Sequence, residues 1–122
     1  MLKFKFLLWV MTKLMQRAID TSAACAAYVD GKRMRFQIQT ADRVGRWFGL
    51  DGGRVKSFAR LCTAPQFTMT FRNAARGFAI LSAKEGKETF LAALHDQEVD
   101  ITGDFVEVMW FQGFAKYLNA KT

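Results

Sequence analysis

Few side chains in this sequence could make or break a covalent bond. There is one histidine, His95, at the end of a short helical pattern over 87–95. A general base has to face its substrate. A cationic side chain closing a helix is favoured by the helix dipole alone, and that is the reading taken for His95. Two cysteines, Cys25 and Cys62, and a single histidine cannot assemble the usual four ligands of a structural zinc site. They read as reduced, buried thiols of a cytoplasmic protein. Asp96, Glu98, Asp100 and Asp104 form an acidic cluster that could hold a cation. Asp100, however, lies between the apolar Val99 and Ile101 of a strand pattern, so its side chain is expected in water. No nucleophile elbow, phosphate-binding loop or dinucleotide fingerprint occurs. The chain reads as no enzyme, with no metal and no cofactor.

Noncovalent chemistry is better represented. The 122 residues suit one domain with a short appended segment, and a hydrophobic fraction of 51% with 24% charged residues excludes a disordered chain. Twelve Phe and three Trp exceed what a small core obviously needs. The net charge of +7 is uneven: residues 1–60 carry twelve basic and four acidic side chains, whereas residues 61–122 carry six and seven. Such asymmetry points to a polyanionic surface as partner, unless it is simply a solvated basic face.

The elements that position these groups follow from periodicity. Residues 3–19 form an amphipathic helix, with Phe4, Leu7, Leu8, Met11, Leu14, Met15, Ala18 and Ile19 on one arc. The opposite arc carries Lys3, Lys5, Lys13 and Arg17, and with them Phe6, Trp9 and Val10. The apolar run Phe6–Met11 is too short for a spanning helix or a signal sequence. A second helical stretch over 20–29, capped by Asp20 or Thr21, stops at Asp30-Gly31. The period then becomes 2: strands are expected over Met34–Gln39, 44–50, 54–62 and Phe67–Phe71, with a tight turn at Asp51-Gly52-Gly53. Asn73 caps a helix over 74–84, a short helix covers 87–95, Val99 and Ile101 form a fifth strand, and a helix closes the chain at 105–118. This order indicates an α+β domain built on a five-stranded, mainly antiparallel sheet covered by helices.

The last helix has an apolar arc of about 200°, about twice what packing on one surface requires. It holds Val106, Met109, Trp110, Phe111, Phe114, Tyr117 and Leu118, interrupted by Glu107. Such a helix is either wedged deep in the core or coated on a second side by a ligand, a partner chain or a bilayer.

From Met34 to Leu118 the element order and several strings resemble the sterol carrier protein type 2 superfamily. The strand Phe67-Thr68-Met69-Thr70-Phe71 before a helix with Phe78-Ala79-Ile80-Leu81 is similar to that family's middle. The stretch Phe90–Leu94, then Val99-Asp100-Ile101-Thr102-Gly103-Asp104, is similar to its short apolar helix, strand, and Gly-Asp entry to the last helix. The resemblance implies residues 31–122 as a lipid-binding domain, preceded by an N-terminal amphipathic helical segment at 1–30. It implies an apolar tunnel between sheet and helices for a sterol, fatty acyl chain, phospholipid or isoprenoid quinone precursor. By position the lining would draw on Phe71, Phe78, Leu81, Phe90, Leu94, Ile101, Met109, Trp110 and Phe114. The expected role is a carrier or accessory factor.

Partners follow from the same residues. Lys3, Lys5, Phe6, Trp9, Lys13 and Arg17 are expected to dock on an anionic membrane surface, since Trp and basic side chains suit the headgroup region. The alternative for this helix is packing on the sheet or on a second copy of the chain. The expected location is therefore the cytoplasm, with peripheral membrane association. Two further classes stay open: a single-stranded nucleic-acid module using Trp47, Phe48 and Phe58 among Arg43, Arg46, Arg54 and Arg60, which is disfavoured, and a structural subunit completed by a partner chain.

Overall fold

The computed structural model describes residues 2–83 and 86–119. The apolar stripe at the start of the chain forms α1 (Leu2–Thr21), which buries Phe4, Leu8, Met15, Ala18 and Ile19. Leu14, expected on the same arc, is exposed because it lies at the stripe's margin. A short helix α2 (Ala23–Val29) follows, capped not by Asp20 or Thr21 but by Ser22, whose hydroxyl accepts from the Cys25 amide at 3.1 Å. α1 runs two residues past its apolar stripe, which ends at Ile19, and so moves the cap to the first extended residue, Ser22.

Five strands form one sheet: β1 (Arg33–Thr40), β2 (Gly45–Asp51), β3 (Arg54–Phe58), β4 (Phe67–Phe71) and β5 (Val99–Gly103), in the order β3-β2-β1-β4-β5. Three pairings are antiparallel and β1–β4 is parallel, so the sheet is mainly antiparallel as expected. β3 ends at Phe58 rather than 62, since Arg60 turns back to accept the Trp47 amide and the chain then leaves the edge to cross to β4. α3 (Ala74–Leu81) begins after Asn73, whose side chain accepts from the Arg76 amide at 2.9 Å. It ends three residues before the expected 84, which lies outside the described residues. α4 (Gly86–His95) and α5 (Phe105–Asn119) complete the chain.

Strand alternation puts Met34, Phe36, Ile38, Phe48, Leu50, Phe67, Met69 and Phe71 on one sheet face, all buried. That face meets the helices in one hydrophobic core, to which α1 contributes Phe4, edge-on to Phe71 with ring centroids 6.2 Å apart. Burying each such Phe stabilises the fold by about 1.5–3 kcal/mol. The Gly-Asp string has a concrete reason. Gly103 sits at φ +121°, and a Cβ there would run into the backbone of Gln66 and Phe67. Asp104 then accepts from the Val106 amide at 3.0 Å and caps α5.

Candidate functional site

The apolar interface of sheet and α5 is built from rings. Phe36 stacks on Phe48 and on Phe67, each at 5.0 Å, and meets Phe111 of α5 at 4.6 Å. Phe111 in turn meets Phe114 at 6.1 Å, and Phe114 meets Trp110 at 5.6 Å. Val108, Phe111 and Phe114 form the core-facing edge of α5. A second edge packs on α2: Tyr28 stacks on Trp110 at 5.0 Å and its hydroxyl donates to the Trp110 carbonyl at 2.7 Å. Burial, and then the neighbouring Tyr117, pushes the Tyr28 phenol upward, keeping it a neutral donor. The width of α5's apolar arc thus comes first from packing on two elements.

A third part of that arc is uncovered. Phe105, Val106 and Met109 are 70%, 71% and 52% exposed, and Leu91 of α4 is exposed as well. Glu107, the polar interruption, pairs with Lys32 at 2.5 Å, and the same ammonium lies 5.0 Å above the Trp110 ring. This pair anchors the α2–β1 turn to α5.

Among the nine residues placed along a tunnel, Phe71 and Phe114 are fully buried in the core. Leu81, Phe90, Leu94, Ile101 and Trp110 are half-buried and pack against it. Phe78 is half-buried beneath the Lys3 ammonium at 5.9 Å, and Met109 faces outward. None of the nine walls either of two surface cavities, of about 450 and 280 Å³. Phe36, Phe48, Phe67 and Phe111 are the central rings not placed in the expected lining. The alternation of β1 and β4 carried the signal for Phe36 and Phe67.

The six docking candidates divide. Phe6 and Trp9 are 62% and 45% exposed, and their rings are neighbours at 5.9 Å. Lys13 lies 5.4 Å above Trp9, and Lys5 and Arg17 are exposed on the same helix. Lys3 instead leans over Phe78. Phe6 and Trp9 therefore do not pack on the sheet; Val10 is half-buried.

The aromatic–arginine set considered for nucleic acid is split by strand alternation. Trp47 and Phe58 are cross-strand partners stacked at 4.8 Å on the sheet face away from the helices, while Phe48 is fully buried. Arg46 pairs in register with buried Ile38 and so belongs to the helix side. The larger cavity lies on the open face, walled by Arg33, Arg35, Trp47, Asp51, Arg54 and Lys56. Arg33 donates to Asp51 at 2.9 Å and holds that carboxyl below its usual range.

The groups that could do covalent chemistry stay apart. His95 is exposed at the end of α4. Glu98 pairs with Arg76 at 2.7 Å, Asp100 is exposed, and Asp104 is spent on its cap. Among the described residues no three His, Cys, Asp or Glu side chains gather as a metal site. Cys25 is buried and Cys62 half-buried; both are free thiols, and burial pushes both upward. No described helix is long and apolar enough to cross a membrane.

No protein-family model matches the sequence, and no curated protein matches it. Solved structures do. A "UbiJ-SCP2 ubiquinone synthesis protein" superposes with a TM-score of 0.65 at 14% identity, covering 93% of this chain and 96% of that one. Sterol carrier protein domain 2 of Helicoverpa armigera gives 0.60 at 12% identity, covering 92% and 87%. Sterol carrier protein 2 from Yarrowia lipolytica gives 0.58 at 11% identity, covering 94% of each chain. At such identities the likeness is one of fold.

Proposed function

From the sterol-carrier-like fold that this chain adopts, we propose that it is a non-enzymatic lipid-binding domain, a carrier or accessory factor for a sterol, acyl chain, phospholipid or isoprenoid quinone precursor. The observation that carries this reading is α5. Its apolar arc continues past its two packing surfaces onto Phe105, Val106 and Met109, beside exposed Leu91. Ligand sites are mostly apolar, with few polar groups. Phe71, Phe78, Leu81, Phe90, Leu94, Ile101, Met109, Trp110 and Phe114 would contact the ligand as α5 and α4 part from the sheet. The half-buried members of that set are the first it would meet. Phe6, Trp9, Lys5, Lys13, Arg17 and, less directly, Lys3 would dock the carrier on an anionic membrane.

Organic extraction of the purified full chain followed by mass spectrometry tests this. An apolar compound present in stoichiometric amount is expected. A protein that yields none, and takes up neither a fatty acid nor a quinone analogue from solution, would sink the reading.

A further inference from the structure

Trp47 and Phe58 lie on the sheet face away from the core, where a lipid between sheet and helices would not touch them. Strand register orders that face in rows. Gln37, Trp47 and Phe58 form one row across β1, β2 and β3; Arg35, Gly49 and Lys56 form the next; Arg33, Asp51 and Arg54 form the third. Gly49 has no side chain, so the middle row has a gap between two cations. Gly49, both of those cations and Trp47 line the cavity of about 450 Å³. The connection from β3 to β4 closes one side of it. The Cys62 amide donates to Gln37 Oε1 at 2.9 Å, the Arg35 amide donates to Gln66 Oε1 at 2.7 Å, and Ala64 and Gln66 line the cavity.

One wall is aromatic. Phe58 stacks on Trp47 at 4.8 Å, and the Arg60 guanidinium stands 5.0 Å from the Phe58 ring. The benzo edge of Trp47 leans along β2, since a Cβ at Gly49 would stand 3.1 Å from its Cζ3. Among the described residues no second ring stacks on Trp47. The other walls are cationic. Arg33 and, at longer range, Lys56 hold the Asp51 carboxyl below its usual range, so both charges stand toward Asp51. Arg35 stands toward the crossing segment: burial pushes the Cys62 thiol up, and the Arg35 charge opposes it. Among the described residues Arg35, Arg54 and Lys56 are in no ion pair.

These walls suit a ligand with two parts. A flat ring can lie against an indole, and phosphate oxygens match guanidinium and ammonium donors. A plain anion would use the cations and leave the gap beside Trp47 empty. An acidic strand added to the sheet would need the β3 edge, which is taken. There the Gln16 carboxamide of α1 donates to the Gly53 carbonyl at 3.0 Å and accepts from the Val55 amide at 2.8 Å, as a neighbouring strand's peptide group would.

We propose that the cavity over Gly49 binds a nucleoside phosphate, its base against Trp47 and its phosphates among Arg35, Arg54 and Lys56, as a free nucleotide or as a residue of a single-stranded nucleic acid. The site lies across the sheet from the core and does not depend on the lipid-carrier reading.

Calorimetric titration of the full chain at low salt, with ATP, tripolyphosphate and a short oligoadenylate, tests this. ATP should bind at least about fivefold more tightly than tripolyphosphate, the share of one stacked base. Gly49→Val fills the gap without changing charge, and R54Q/K56Q removes two phosphate partners. Each should weaken ATP binding about tenfold, with the control R72Q/K87Q within about twofold. Oligoadenylate bound more tightly than ATP assigns a strand as the source of the nucleotide; equal or weaker binding assigns the free nucleotide. Tripolyphosphate bound as tightly as ATP, or equal losses in the two double variants, would reduce the site to net charge and overturn it. Undiminished ATP binding by a Gly49→Val protein with the parent's melting temperature, or no binding of either nucleotide at millimolar concentration, would also overturn it. If Gly49→Val does not fold, the double variants decide alone, since Arg54, Lys56, Arg72 and Lys87 are all exposed.

Discussion

The ring of Phe111 on α5 lies 4.6 Å from that of Phe36 at the middle of the sheet, tilted by 53°. This contact fills the space between the sheet and α5. Phe36 is also stacked between Phe48 and Phe67, so the contact joins α5 to three strands at once. Phe111→Ala is expected to destabilise the fold by about 3–5 kcal/mol, the usual range for emptying a buried aromatic site. Denaturant unfolding measures this. An added fatty acid should restore part of the loss, because a ligand that occupies the vacated space stabilises the folded state by mass action. A variant that unfolds at the parent's midpoint would mean that Phe111 is not a closing contact.

Gly113 lies beneath the Tyr28 ring, and a Cβ there would overlap the hydroxyl and stand 2.9 Å from Cζ. Helix propensity favours Gly113→Ala by about 1 kcal/mol. The clash should win, because Tyr28 is tied to the Trp110 carbonyl and stacked on its indole. Gly113→Ala is therefore expected to lower the melting temperature, and to raise it in a Tyr28→Ala background. A double-mutant cycle reads the coupling; additive effects would contradict this account.

Much of the architecture was legible because each element has an unambiguous period. Phe67, Met69 and Phe71 alternate and form a buried strand, and Asn73 starts a helix where its amide-bonding side chain predicts one. The ends failed where side-chain hydrogen bonding or a crossing chain decides. Ser22 outcompetes Asp20 and Thr21 as a cap, and β3 stops at Phe58 because the chain must leave the edge. The site was legible only in part. A sequence shows that α5 is too apolar for one contact, but not that Tyr28 covers one flank while Phe105 and Val106 are left uncovered. Nor does it show that residues 43, 46 and 60 line one cavity with Lys5, since that depends on how α1 lies across β2 and β3.

Cys25 is fully buried and its thiol is pushed upward by burial, while Cys62 is half-buried. A raised thiol pKa means that the folded state favours the protonated form. Its contribution to stability is then complete below the unfolded thiol pKa of about 8.5 and is lost as pH climbs through the higher folded value. Iodoacetamide at neutral pH should label Cys62 first, with Cys25 reacting only on unfolding. Raising the pH above about 9 should weaken the fold. Equal labelling rates for the two thiols in the folded protein would show that α2 does not seal Cys25.

Among the described residues the His95 side chain is in no ion pair, and it is exposed at the end of α4. His95→Ala should leave ligand content, measured by extraction, and unfolding midpoint both within error. A large loss of cellular function in a well-folded His95→Ala protein would instead assign it a reaction.

Trp9 separates the two roles of α1. Phe4 and Leu8 are 1% exposed and hold the helix to the core, so their truncation should unfold the chain. Trp9 points outward and touches Phe6 and Lys13, so Trp9→Ala should leave the unfolding midpoint nearly unchanged. Its cost falls on membrane binding, because an indole at the interface contributes apolar area and a polar N–H that stays hydrated. The lysines should rank by position. Lys13 stands over Trp9 and would enter the headgroup layer with it, while Lys3 leans away over Phe78. Each basic side chain at an anionic surface contributes about 1 kcal/mol, so Lys13→Gln should weaken binding about fivefold and Lys3→Gln less. Both effects should fade as added salt shortens the Debye length to below about 8 Å. Co-sedimentation with phosphatidylglycerol vesicles over a salt series measures all three variants. Binding that ignores salt and survives Trp9→Ala would mean that α1 does not meet the membrane through this face.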